Sequence, residues 1–198
     1  MKSKSFLLFF AYLIISLANI SNSYSITPDV FVQSTVNRAS EALSDEYSKE
    51  EKINKLMAIA KETVDIQGIG FYTIGEYKKN LNADQKKEYL ILFEKYFLKS
   101  FSSRLAEYSN PEIRVQSSKK LNENYTMVFS TLVSTSKRPE VKIDWRIYTK
   151  DLKNLLIRDL IIEGLSLART QKEEFSSIIQ TNDGNIDSLF TNLKEFIK

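Results

Sequence analysis

At Asn110-Pro111 the spacing of apolar residues changes, and the change divides the chain into two kinds of structure. Before it, apolar side chains return every three or four positions, as one face of a helix requires. After it, from Glu112, they return every second position, as one face of a strand requires. Proline has no N–H and clashes with the preceding turn, so Pro111 ends whatever helix reaches it.

The helical half starts at Thr27-Pro28, read as N-cap and first helical residue, with Val30, Phe31, Val36, Ala39 and Leu43 on one side. Ser48 and Glu51 have capping-box spacing, and Ile53, Leu56, Met57 and Ala60 follow at helical intervals. Residues 64–79, "VDIQGIGFYTIGEYKK", keep a helical stripe at Ile66, Ile69, Thr73 and Tyr77 despite three glycines. Each glycine costs about 1 kcal/mol in a helix, so we expect a helix that something approaches closely. Asn82 and Gln85 cap the next helix, which runs to about Tyr108. Its apolar residues, from Tyr89 through Phe93, Phe97 and Phe101 to Leu105, cover more of the circumference than a surface helix needs, which implies enclosure on several sides.

In the second half, Ile113 and Val115 alternate, and Tyr125 to Val133 is apolar or Thr on both faces. Val141, Ile143, Trp145 and Ile147 then alternate with Lys142, Asp144, Arg146 and Tyr148, and Leu155 to Ile162 makes a fourth strand. The turn segments "KLNEN" and "STSKRP" are short, so the strands should form an antiparallel meander. Two helices close the chain, Leu167 to about Gln180 and Ile186 to Ile197. The expected class is α+β: N-terminal helices, a four-stranded antiparallel sheet and C-terminal helices, packed on one face of the sheet.

Residues 1–25 stand apart. Lys2 and Lys4 precede an apolar run from Phe6 to Ile20, and Ser21 to Ser25 is small and polar, the layout of a cleaved signal peptide with Ser23 and Ser25 at −3 and −1. The apolar run, roughly 15 residues, is short of the ~20 that a spanning helix needs. The expected organisation is therefore a leader over 1–25 and one domain over 26–198. Two of the 28 basic residues and none of the 25 acidic ones lie in the leader, so the remaining chain is nearly neutral and has no broad positive field for nucleic acid. The chain has no Cys to staple it, and no His, which removes the commonest general base and the commonest zinc ligand together.

Candidate sites are few. Gly164-Leu165-Ser166-Leu167-Ala168 hints at a nucleophile elbow, but its second glycine is Ala168 and no His can take the Ser166 proton. Ser166 reads better as a helix N-cap, with Gly164 bending the chain at the strand end. Glu163 and Asp159 do not make a catalytic pair by any motif, and Glu163 reads as a rim carboxylate near a helix N-terminus. The stretch from Asp183-Gly184 fails as a calcium loop, having Ser188 and Lys194 at the sixth and twelfth positions. Gly68-x-Gly70 follows no strand and is no dinucleotide loop. What remains is aromatic mass, which fits either a filled core or a cavity for an apolar ligand.

Three stretches bear on that choice. "VDIQGIGFYTIGEYKKNLNADQKKEYLILFEKYFLKSFSSRLAEY", "RPEVKIDWRIY" and "RDLIIEGLSLARTQKEEF" together resemble the MlaC family of periplasmic phospholipid-binding shuttles, in a consistent order over about residues 30–195. Ile74-Gly75-Glu76-Tyr77 and Ala83-Asp84-Gln85 fill the family's segment before its long aromatic helix. Ala83 replaces a proline, Leu155 a tryptophan and Lys172 an arginine of the family pattern. The resemblance implies a carrier, not an enzyme, without cofactor or metal. It would move glycerophospholipids between an inner-membrane ABC-transporter complex and an outer-membrane lipoprotein–porin complex, maintaining outer-membrane lipid asymmetry. The family's acyl-facing residues match Phe101, Val141 and Leu165; to these we add Ile69, Tyr72, Phe97 and Trp145 from their positions. If Ser166 is only a cap, Ser166→Ala should cost about 1 kcal/mol in chemical denaturation and remove no activity.

Overall fold

The computed structural model describes residues 26–136 and 138–198. The expected leader over 1–25 lies outside the described residues. The first helix, α1 (Pro28–Ala42), begins where expected, with Pro28 in the first turn. Thr27 is extended there but makes no side-chain cap, so the fixed proline φ starts the helix unaided. The buried ridge is also rotated from the expected stripe. Val32 and Val36 are fully covered, whereas Val30 is 53% exposed. A 3.6-residue turn places Val30 well round the helix from Val32, and the helix docks through the Val32–Val36 ridge.

Helix α2 (Lys49–Thr63) carries the expected reciprocal cap: the Glu51 amide donates to Ser48 Oγ and the Ser48 amide to Glu51 Oε2. The glycine-bearing stretch folds differently from expectation. A short helix, α3 (Ile66–Thr73), is followed by a 3-10 segment over Gly75–Lys79, because Gly75 takes a positive φ of 50° that no α-helix contains. Asp65 caps α3 by accepting the Gly68 N–H at 2.8 Å. The glycines do admit close neighbours: a Cβ at Gly70 would sit 2.8 Å from the Phe93 ring.

Helix α4 (Ala83–Leu105) starts from the Asn82–Gln85 box. It is met by α2, by α3 and by the last helix, the enclosure that its broad apolar surface implied. Tyr89 and Phe93 are completely buried on it. The Tyr89 hydroxyl donates to Gly70 O (3.0 Å) and shares a 2.8 Å hydrogen bond with Thr73 Oγ1. Burial pushes the Tyr89 phenol well above its ordinary pKa.

The strands β1 (Ile113–Lys120), β2 (Tyr125–Leu132), β3 (Val141–Tyr148) and β4 (Leu156–Ile162) form the expected antiparallel meander. A fifth strand, β5 (Leu165–Ser166), adds to β4 through the pairs Ile162↔Leu165 and Ile161↔Ser166. Glu163 and Gly164 make this two-residue hairpin with φ of 49° and 82°. Both central residues of such a turn need positive φ, and Gly164 supplies one without strain. Glu163 accepts the Lys142 N–H at 2.5 Å, which holds it in place. Two residues are too few to show a period, so this strand was invisible in the sequence.

Val141, Ile143, Trp145 and Ile147 share one face of β3, and Val32 and Val36 of α1 belong to the same apolar cluster as Trp145, Ile147 and Val128. The other face carries Lys142, Asp144, Arg146 and Tyr148. Helices α5 (Leu167–Gln180) and α3 meet β4, and Asp159, paired with Arg146, bonds the start of α5. The helices are thus divided between the two sides of the sheet rather than confined to one, because a polar residue within β4 anchors α5. Helix α6 (Asp187–Ile197) buries Leu189, Phe190 and Leu193 against α4 and α5.

Apolar burial is divided into three clusters, one among α3 to α6, one between α1 and the sheet, and a small one joining α1, α2 and the end of α4. Gly70→Ala tests the tightest contact in the first. Overpacking against Phe93 should cost about 1–3 kcal/mol, more than the ~1 kcal/mol helix gain from removing a glycine. A lower urea midpoint with unchanged slope is expected; a raised midpoint would show the contact to be slack.

Candidate functional site

A cavity of about 400 Å³ opens where α3 faces the polar side of the sheet. Helix α3 supplies Gly68, Ile69 and Tyr72, the β1–β2 turn Leu121 and Asn122, and the strands Tyr125, Arg146 and Arg158. Tyr125 pairs with Tyr148, two residues on from Arg146, so the strand contributions share a face. Tyr72 and Leu121, each 45% exposed, stand at the opening.

The local sequence explains the shape. The register between β3 and β4 shifts after Arg146↔Asp159, leaving Arg158 opposite no partner. Such a bulge re-aims a side chain. The Arg158 Nε lies 2.5 Å from Asp65 Oδ2 in an ion pair, and the guanidinium rests 5.0 Å from the centre of the Tyr148 ring. Gly68 makes the arrangement possible, since a Cβ there would fall 2.5 Å from Arg158 Cζ.

Arg146 is placed differently. Its Nη1 is 3.6 Å from Asp159 Oδ2, an ion pair beyond hydrogen-bond length. Asp159 is 4% exposed and already bonded: Ser166 Oγ donates to Oδ2 at 2.6 Å and the Ala168 N–H to Oδ1 at 3.0 Å. Ser166 Oγ in turn accepts the Arg169 N–H at 3.1 Å. Ser166 is therefore the N-cap of α5, as its sequence position suggested, and its hydroxyl is committed to that task.

The seven residues singled out from the sequence fall in separate places. Ile69 and Tyr72 line the cavity. Phe97 and Phe101 stack on one another along α4, with centroids 5.4 Å apart, half-buried at the edge of the helical cluster. Trp145 packs in the α1–sheet cluster, on the face opposite Arg146, and its indole N–H donates to Ser130 Oγ at 2.8 Å. Val141 is half-buried at the start of β3, and Leu165 is 58% exposed on β5. The cavity wall added by the structure is Leu121, Asn122, Tyr125, Arg146 and Arg158. Arg158 left one trace in the sequence, a lone cation inside the apolar run "LLIRDLII".

Among the described residues no cluster of three or more His, Cys, Asp or Glu is placed to hold a metal ion, and no helix is long and apolar enough to cross a membrane. The chain matches the family described as MlaC protein over residues 32–195. No curated protein matches it in sequence. Among solved structures it is similar to a phospholipid-binding protein from Ralstonia solanacearum in complex with a phospholipid, with 17% identity over 87% of this chain and 97% of that one and a TM-score of 0.72. At that identity the likeness establishes a shared fold.

Asp159 gives this region its direct test. Asp159→Ala leaves the Ser166 and Ala168 donors and Arg146 without their carboxylate, a loss of about 3 kcal/mol, against about 1 kcal/mol for Ser166→Ala. Equal losses in chemical denaturation would mean that Asp159 acts only through Ser166.

Proposed function

This chain belongs to the MlaC family, and we propose that it is a periplasmic phospholipid carrier that sequesters acyl chains between its helices and its sheet. The observation that carries the reading is the family match over residues 32–195, which spans every element that bounds the cavity. The shared fold with a protein solved around a phospholipid supports it. The family is a carrier family, and the chain is accordingly proposed to bind rather than to catalyse. Its partners are proposed to be an inner-membrane ABC-transporter complex and an outer-membrane lipoprotein–porin complex, between which it moves glycerophospholipid and so maintains outer-membrane lipid asymmetry.

The energetics suit such a role. Each buried CH₂ is worth ~0.8 kcal/mol, so two long tails gain on the order of 20 kcal/mol before the costs of ordering and of parting the protein. A cavity of ~150 Å³ holds one benzene, or on the order of 25 Å³ per carbon. Two long chains therefore overfill the 400 Å³ cavity, and loading requires the helical and sheet clusters to separate. Phe97, Phe101, Val141 and Leu165 are the side chains proposed to meet the tails, being apolar and incompletely buried. Handover at a docked partner is the same motion biased the other way.

A second reading, a non-catalytic adaptor with a filled core, is favoured by one observation: Trp145 is 8% exposed and hydrogen-bonded within packed surroundings. Native mass spectrometry and lipid extraction on the purified mature protein separate the two. The carrier reading expects co-purified phospholipid, and its loss in Leu165→Glu with stability changed by less than about 0.5 kcal/mol, because Leu165 is a surface position. Lipid-free protein from several preparations favours the adaptor.

A further inference from the structure

One end of the sheet carries a pattern for which the cavity does not account. The β1–β2 turn reads Lys119-Lys120-Leu121 and the β3–β4 turn Lys150-Asp151-Leu152-Lys153, so each sets a leucine beside lysines. The meander puts both turns at the same end, where the Thr149 N–H donates to Asn124 O at 2.8 Å and joins them. Leu121 and Leu152 are 45% and 51% exposed, whereas Leu155 of the same turn is buried in the sheet cluster. All four lysines are exposed, and among the described residues only Lys120 of the four has an ion-pair partner, Glu123 at 3.7 Å. Over residues 119–124 and 148–158 five basic groups meet two acids. The other end is balanced, with Glu112, Glu140 and Glu163 against Arg114, Arg138 and Lys142 among the described residues.

Leucines held out at turn tips gain free energy wherever they can leave water. Lysines beside them are drawn to an anionic surface within about a Debye length. The tips are shaped in advance. Asn122 Oδ1 accepts the Asn124 and Tyr125 N–H groups, and the Lys153 N–H donates to Asp151 Oδ1 at 3.0 Å. Tyr125 and Tyr148, with ring centroids 5.6 Å apart, stand next to the tips, and such amphipathic rings favour the boundary between water and lipid. The two leucines come from separate turns, and a protein partner would need a pocket for each. A bilayer accepts apolar side chains wherever they protrude. We propose that this end of the sheet docks on the surface of an anionic lipid bilayer, with Leu121 and Leu152 entering the interface and the lysines beside them held by headgroup charge. The proposal goes beyond the carrier reading and does not rest on it. It concerns a bilayer met by the outside of the protein, not a lipid held within.

Co-sedimentation with vesicles tests this, using phosphatidylcholine mixed equally with phosphatidylglycerol, phosphatidylcholine alone, and a soluble polyglutamate peptide as competitor. The protein should bind the mixed vesicles at least about tenfold more tightly than the neutral ones, and the difference should vanish at about 1 M salt. Lys150→Gln with Lys153→Gln should weaken binding to the mixed vesicles about fivefold per lysine. Leu152→Ser should weaken it about fivefold and Leu152→Trp should tighten it, a gain that a merely structural role would not produce. Urea melts establish that the variants fold, and the comparison of vesicles on the unaltered protein stands whether or not they do. Equal binding to both vesicles, or no effect of the lysine and Leu152 changes in folded variants, would overturn the docking surface. Displacement from the mixed vesicles by polyglutamate, with binding indifferent to Leu152, would overturn the bilayer in favour of an acidic protein surface. Loss of vesicle binding in Leu152→Ser with phospholipid still extracted from the purified variant would support a surface separate from the carrier's interior. Vesicle binding by protein from which no phospholipid is extracted would support the surface and overturn the carrier reading alone.

Discussion

One buried carboxylate ties the sheet to the helix that follows it. Asp159 sits inside β4 and bonds the first turn of α5, so the sheet and that helix meet at a fixed point. An acid sealed this way is stable only with its oxygens satisfied. Ser166 and Ala168 satisfy them, and the Arg146 charge adds to the balance. The two-residue hairpin at Glu163-Gly164 brings Ser166 back to Asp159, and β5 exists because of that return. Apolar burial is split among three clusters, whose half-buried margins include Phe97, Phe101 and Ile143.

That division is a weakness for a purely structural domain and a resource for a carrier. A molecule that must take up tails and later release them needs a seam that parts without unfolding either side. The two large clusters have their own internal supports: Tyr89, Thr73 and Gly70 bond together in the helical part, and Trp145, Ser130 and Ile143 do so in the sheet. Such buried networks stiffen the pieces they belong to. Among the described residues, Val64 is packed against both large clusters and marks the junction at which the proposed parting would occur.

Much of this architecture was legible in the sequence, for physical reasons that can be named. The period change at Asn110-Pro111, the two capping boxes and the broad aromatic surface of α4 are local or regular signals, and the elements they mark followed from them. The Gly164 bend and the Ser166 cap were legible too. The hairpin between them was not, since β5 is too short to have a period. The ridge of α1 was misplaced because Val30 and Val32 are chemically identical and only docking chooses between them. The cavity was half visible. Ile69 and Tyr72 had been singled out by position and line it, but Arg146 and Arg158 come together through a register shift between β3 and β4, and strand pairing is not written at any one position. The family resemblance supplied Phe101, Val141 and Leu165, which lie outside this cavity and gain a common role only if the seam opens.

The measurement closest to the central claim is a crystal structure of the protein purified with its native ligand. We expect acyl density between the helical cluster and the sheet, in contact with Phe101, Val141 and Leu165. A ligand-free interior in which the clusters meet side chain to side chain, in protein shown to carry phospholipid on its outer surface, would contradict it.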